Sequence, residues 1–167
     1  MELGEELEAL GRASSGLRSA IYDLRHEREG SFVESVESLV EANRKLTPER
    51  EIALTIGDGF GKAISPETGV ELLRVLREVL TNCRRHSGAR NVDVRLWVED
   101  DTLMAEVTDD GGGFDPMVAQ GGVGLVGMRE RVEELGGQIA LESRPGEGTG
   151  VTVRVPSGGG TPGHRRL

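Results

Sequence analysis

Cysteine occurs once in this chain, at Cys83, so no internal disulfide can form, and no Cys/His cluster has the spacing of a zinc site. Such sparing use of cysteine suits a reducing, cytoplasmic setting. Aromatic residues make up only 3%, so a core must be built mainly from Val, Leu, Ile and Ala. Nowhere do the roughly 18 apolar residues of a membrane span run together. The opening MELGEELEAL lacks both the basic start and the apolar stretch of a signal peptide. The expectation is a soluble chain without direct membrane contact, compatible with a longer parent protein anchored in a membrane. Basic residues are outnumbered, 20 Lys and Arg against 29 Asp and Glu, for a formal charge of −9. That balance argues against nucleic acid or an anionic membrane as partner. An anionic ligand would have to be met by local cations, backbone amides or a metal.

What is present fits one domain with short additions, since 167 residues suffice for a sizeable core. Leu3, Leu7, Leu10, Leu17, Ile21 and Leu24 fall at alternating steps of four and three, with Ser14 in the remaining seam position. Residues 1–29 are therefore expected to form a coiled-coil-like helix, weakened by Gly4, Gly11 and Gly16. It either packs on its own domain or joins a bundle or homodimer, and the seam favours the latter. A second amphipathic run, FVESVESLVEANRKL, has Ser31 as its N-cap, and the strand EIALTI alternates Ile52, Leu54 and Ile56 on one face.

Ser65 followed by Pro66 opens a long helix through EVLTNCRRHS. NVDVRLWVED and TLMAEVTDD read as a hairpin turning around residues 99–101, GLVGMRERVEELGG as a helix over 125–135, and QIALES and GVTVRVP as two last strands. Residues 157–167 read as a disordered tail. Strands that follow one another in pairs predict an α+β, two-layer sandwich over 31–156, with a mixed sheet and its helices on one face. A doubly wound parallel sheet would alternate strand and helix throughout.

Three glycine clusters stand at the ends of these elements: DDGGGFD (109–115), GGVGLVGM (121–128) and GEGTG (146–150). A turn or a helix start accounts for any one of them. Alongside them, Glu78, Asn82 and His86 are spaced at four along the long helix, which puts them on one helical face. An apolar core face would not use those residue types.

Together these motifs resemble the ATP-binding domain of histidine kinases, in the GHKL ATPase superfamily that also holds gyrase, MutL and a heat-shock chaperone. EVLTNCRRH is similar to the N box, DDGGGF to the first glycine box, GGVGLVGM to the second, and GTG to the late motif beside the adenine. The resemblance covers roughly 31–156. GLVGMRERVEELGG points to the nitrate-sensor-like subfamily, and LRSAIYDLR is similar to the end of its second dimerisation helix.

The resemblance implies a site for ATP and Mg2+. Asp109, an acceptor when ionised, would take the donor hydrogen of the adenine amino group, where guanine presents a repelling carbonyl. Gly111 and Gly113 would let the backbone approach the base, and Thr149 would help to hold it. Gly122, Val123, Gly124 and Leu125, with Gly127, would bring backbone amides and a helix start to the phosphates. Asn82 would hold the metal through its amide oxygen. Arg85 and His86 would contact phosphate, with Arg129 and Arg131 equally readable as surface charges. Glu78 would orient or deprotonate the nucleophile at the γ-phosphorus. DPMVAQG (115–121) would form a short lid.

One element of the resemblance is missing. None of His26, His86 and His164 lies in a run like that around the family's phosphoacceptor. The implied partners are therefore the dimerisation and phosphoacceptor helices of a histidine kinase and, beyond them, a response regulator. The same pocket would also serve a free-standing serine kinase acting on a sigma factor, or a non-catalytic module gated by ATP. Replacing Gly124 by Ala should lower ATP affinity in a binding titration, because the added methyl stands where backbone and phosphate are expected to meet.

Overall fold

The computed structural model describes residues 32–113 and 123–157. The expected helix over 1–29, its neighbour Ser31, the 115–121 lid, Gly122 and the tail from 158 onward lie outside the described residues. Five helical or turn segments and five strands follow in the order α1 (Phe32–Leu46), β1 (Glu51–Ile56), α2 (Phe60–Ala63), α3 (Pro66–Asn82), a π-helical turn (Cys83–Ser87), β2 (Asn91–Glu99), β3 (Thr102–Asp109), α4 (Val123–Glu134), β4 (Gln138–Ser143) and β5 (Thr149–Pro156).

Local chemistry explains most of these boundaries. The Ser65 hydroxyl accepts from the Thr68 N–H at 3.3 Å, and Pro66 occupies the first turn, where its missing N–H costs nothing. α1 buries Phe32, Val36 and Val40 at steps of four. At its other end the Arg44 guanidinium donates twice to the Ile52 carbonyl, at 2.7 and 3.0 Å, and ties the helix to β1. The β2–β3 connection is a two-residue loop, Asp100 and Asp101, with φ of 46° and 59°. Those values suit a hairpin turn whose twist matches its strands, and Asp tolerates them better than most residues.

The strands form one mixed sheet in the order β1-β2-β3-β5-β4. β1 runs parallel to β2, reached by the crossover through α2 and α3, and every other pair is antiparallel. Val92, Val94 and Leu96 of β2, Leu103, Ala105 and Val107 of β3, and Val151, Val153 and Val155 of β5 are buried on one face. They share a core with Phe32 and Val36 of α1, Leu72, Leu76 and Val79 of α3, and Met128 and Val132 of α4. Arg95, Glu142 and Arg154, on the alternate positions, are exposed. The two-layer α+β sandwich with helices on one face is thus the observed architecture.

α4 begins at Val123, two residues earlier than the sequence pattern indicates, and ends where the Gly137 N–H donates to the Val132 carbonyl at 2.9 Å. A Cβ at Gly137 would strike the Arg154 carbonyl oxygen of β5, whereas a Cβ at Gly127, inside the helix, would meet nothing. Gly137→Ala should therefore destabilise the domain by about 1–3 kcal/mol through forced backbone movement. Gly127→Ala should stabilise it by up to about 1 kcal/mol through helix propensity. Denaturant midpoints of the two variants check both signs.

Candidate functional site

Asp109 closes β3, and its Cα pairs with Val92 on one side and Thr149 on the other. Its carboxylate accepts from the Gly111 N–H at 2.8 Å through Oδ1 and from the Cys83 thiol at 3.4 Å through Oδ2. Cys83 stands next to Asn82, so the end of α3 is brought against the end of β3. Cys83 is only 8% exposed. Burial pushes its pKa up to about 12, and the charge of Asp109 and its hydrogen bond act in the same direction. It is therefore a thiol, and a donor, throughout the neutral range.

The neighbouring Asp110 does different work. Its Oδ1 accepts from the N–H groups of Arg90 and Asn91, each at 2.9 Å, and its Oδ2 from the Asn91 side-chain amide at 2.8 Å. The backbone and side-chain N–H groups of Asn91 hold the Asp110 carboxyl below the usual carboxylate range. Asp110 therefore pins the start of β2 to the end of β3, leaving Asp109 as the acid that faces the glycine turns.

Those turns interlock. Gly146 N–H donates to the Gly112 carbonyl at 2.6 Å. Gly113 (φ 64°) presses on the Arg144 carbonyl, and Gly148 (φ 78°) presses on the Asp109 carbonyl, each so closely that a Cβ would collide. The sequence suggests glycine here for approach to a ligand. The structure adds a requirement internal to the protein, which is the packing of one turn against another.

Thr149 follows immediately. The Ser143 hydroxyl lies 3.1 Å from the Gly148 carbonyl and 2.9 Å from the Thr149 hydroxyl. Ser143 has a single proton to give. With that proton on the Gly148 carbonyl, Thr149 must donate to Ser143, and its oxygen then offers outward only lone pairs. Asp109 and Thr149, opposite one another across two strands, thus present acceptors.

The remaining predicted residues divide. Glu78 and Asn82 are half-buried on α3, and among the described residues neither side chain has a polar partner. The chain continues past Asn82 as a π-helical turn over Cys83–Ser87, which carries Arg85 and His86. Arg85 lies on that turn and is exposed. Val123 and Gly124 open α4, and Leu125 is packed against the core. Gly127 is the fifth residue of α4, beyond the first four N–H groups that a helix leaves without intrahelical partners. It is therefore not an amide donor to a ligand. Arg131 reaches Glu71 of α3 at 3.2 Å, and Glu71 also holds Arg74 at 3.1 Å, so Arg131 bridges two helices.

Residues missed in the sequence are Cys83, Ser143 and Arg50. Arg50 donates to the Cys83 carbonyl at 2.7 Å and anchors the π turn. Only the serine had a visible signal, as a polar residue at a strand end before a glycine turn.

Residues 67–159 match the family described as histidine kinase-, DNA gyrase B-, and HSP90-like ATPase. The chain belongs to this family. It is 42% identical over 94 residues to the signal transduction histidine-protein kinase/phosphatase UhpB of Salmonella typhimurium, a match covering 56% of this chain and 18% of that protein. It is 33% identical over 99 residues to the histidine-protein kinase/phosphatase DegS of Brevibacillus brevis, covering 59% of this chain and 26% of the other. The chain thus spans about a quarter or less of the relatives it matches. A blue-light activated histidine kinase of Erythrobacter litoralis has the same fold, with a TM-score of 0.63 at 22% identity over 72% of this chain and 40% of its own. The family match bears out the reading of the chain as an ATP-binding domain of this ATPase family, and the curated relatives it resembles are histidine-protein kinases. Within this ATPase domain, Gly148→Ala should lower the melting temperature by several degrees, because it drives a methyl into the Asp109 carbonyl at about 1–3 kcal/mol. ATP affinity should fall with it, as a melting series with and without nucleotide would register.

Proposed function

We propose that this domain binds ATP with Mg2+ and delivers the γ-phosphate to a histidine on the dimerisation helices of a sensor kinase, from which a response regulator is supplied. The observation that supports this reading is the Asp109 carboxylate, held between the Gly111 N–H and the Cys83 thiol at the end of the helix bearing Glu78 and Asn82. An acceptor anchored in that way suits an adenine amino hydrogen. Thr149 adds a second acceptor beside it. Val123 and Gly124 at the start of α4 offer amides to phosphate oxygens in a chain too acidic to rely on surface cations. Arg85 and His86, on the π turn that follows Asn82, are assigned to phosphate.

The Asn82 amide oxygen, half-buried and without a polar partner among the described residues, fits a hard cation that takes few protein ligands and completes its shell with phosphate and water. Mg2+ bound there would neutralise charge developing on the phosphates. Glu78, one turn earlier, accepts or orients the imidazole proton as the acceptor nitrogen bonds to the γ-phosphorus and the bond to the β,γ-bridging oxygen of ADP breaks. The histidines of this chain lie outside any acceptor-like run, so that imidazole is supplied by other helices.

Radiolabelled ATP tests the assignment. The chain should bind ATP saturably, remain unlabelled itself, and place acid-labile label on a histidine-bearing dimerisation segment of a UhpB-like kinase supplied in trans. Glu78→Gln should slow that transfer by about 100-fold or more while ATP affinity stays within a few-fold. Acid-stable label on a partner serine would overturn the histidine assignment.

A further inference from the structure

We infer that Cys83 is a positioning residue for base selection, its thiol locking the Asp109 carboxylate in the orientation that reads an exocyclic amino group. The inference rests on the nucleotide reading above and adds to it a residue that none of the recognised motifs assigns to the base.

The geometry makes the case in steps. A carboxylate at a strand end can rotate about its last torsion, and the single bond from the Gly111 N–H at 2.8 Å restrains one oxygen only. The Cys83 thiol, at 3.4 Å from Oδ2, restrains the other, so the plane of the group is set by two donors from opposite sides in sequence. The thiol is itself held. Its residue's N–H bonds to the Leu80 and Val79 carbonyls, and its carbonyl takes the Arg50 guanidinium at 2.7 Å, with the second Arg50 nitrogen on the Arg84 carbonyl at 3.4 Å.

The chemical sense of the bond matters as much as its position. The Cys83 Sγ lies 3.4 Å from the Asp109 Oδ2 in the sense of a donor, and an ionised carboxylate can only accept there. Both bonds on Asp109 are accepted ones and the Thr149 proton is taken up by Ser143, so what remains on both groups is acceptor capacity. A base presenting an amino hydrogen is matched by such a pocket, whereas one presenting a carbonyl in the same place is repelled. Loosening the carboxylate should therefore reduce discrimination more than it disturbs the fold.

The test compares ATP and GTP binding to the full 167-residue chain and to Cys83→Val and Cys83→Ser, each checked by its melting temperature. Valine fills similar space without a donor, and serine keeps one. Cys83→Val should lose about fivefold in ATP affinity while GTP affinity moves less than about twofold, and Cys83→Ser should recover most of the ATP preference. Should the valine variant fail to fold, Cys83→Ala gives the same comparison. An ATP preference that survives loss of the thiol, or that falls equally with serine and valine, would overturn the role of Cys83 alone. A wild-type chain that binds ATP and GTP equally would overturn the base-reading role of Asp109 first, and the role of Cys83 with it.

Discussion

The two hydrogen bonds on the Asp109 carboxylate, from the Gly111 N–H and the Cys83 thiol, join pieces of chain that no single element holds together. One donor comes from the turn just after β3, the other from the end of α3, 26 residues earlier. The carbonyl of the same residue forms the wall against which Gly148 closes, so the turn between β4 and β5 is fitted to Asp109 as well. Moving this residue would disturb the sheet pairing with Thr149, the seat of the π turn and the fit between two glycine turns. That convergence explains why glycine is required at Gly113 and Gly148, where positive φ and a backbone carbonyl at close range exclude a side chain.

Charge imposes a second constraint, because an acidic domain must receive a triphosphate. Several of its cations are already committed within the protein. Arg44 is on the Ile52 carbonyl, Arg50 on Cys83, and Arg74 and Arg131 share Glu71. On the proposed reading, the phosphates depend on helix-start amides, a metal at Asn82 and the π-turn residues Arg85 and His86. Such a site attracts nucleotide at short range through fixed dipoles, with less long-range steering than a basic surface would give.

Much of this was legible in the sequence where local rules dominate. The Ser65-Pro66 start, the Gly136-Gly137 stop, the Asp100-Asp101 hairpin and the alternation of β2, β3 and β5 all follow from propensity, capping and burial periodicity. Asp109 and the glycine clusters were legible because their residue types are costly unless used. What escaped is non-local or too short. The parallel pairing of β1 with β2 depends on a crossover, not on any residue of β1. α2 spans four residues after Gly59, too few for a periodic pattern. The π turn follows an uninterrupted helical sequence, so nothing in the pattern marks that α3 gives way to it at Cys83. In the sequence Cys83 only excludes a disulfide; its burial and its contact with Asp109 are tertiary facts, and that contact is what gives the thiol a meaning.

The two halves of the site are held by different forces. Around Asp109 and Thr149 the scaffold is a strand pair, with turns too tight for side chains and hydrogen bonds saturating buried groups, an arrangement with few alternative positions. The helix pair α3 and α4 is held chiefly by apolar packing, with Leu72, Leu76, Met128 and Val132 in one core. The Glu71–Arg131 pair, with both side chains partly exposed, contributes little net stability and serves mainly to set how the helices face each other. On the proposed reading, recognition of the base can therefore be rigid while the helices that carry Glu78, Asn82 and the start of α4 retain freedom to adjust. For the proposed transfer to an acceptor on another set of helices, that division is physically economical: the nucleotide would be identified by the stiff half, and alignment would fall to the half held by less directional forces.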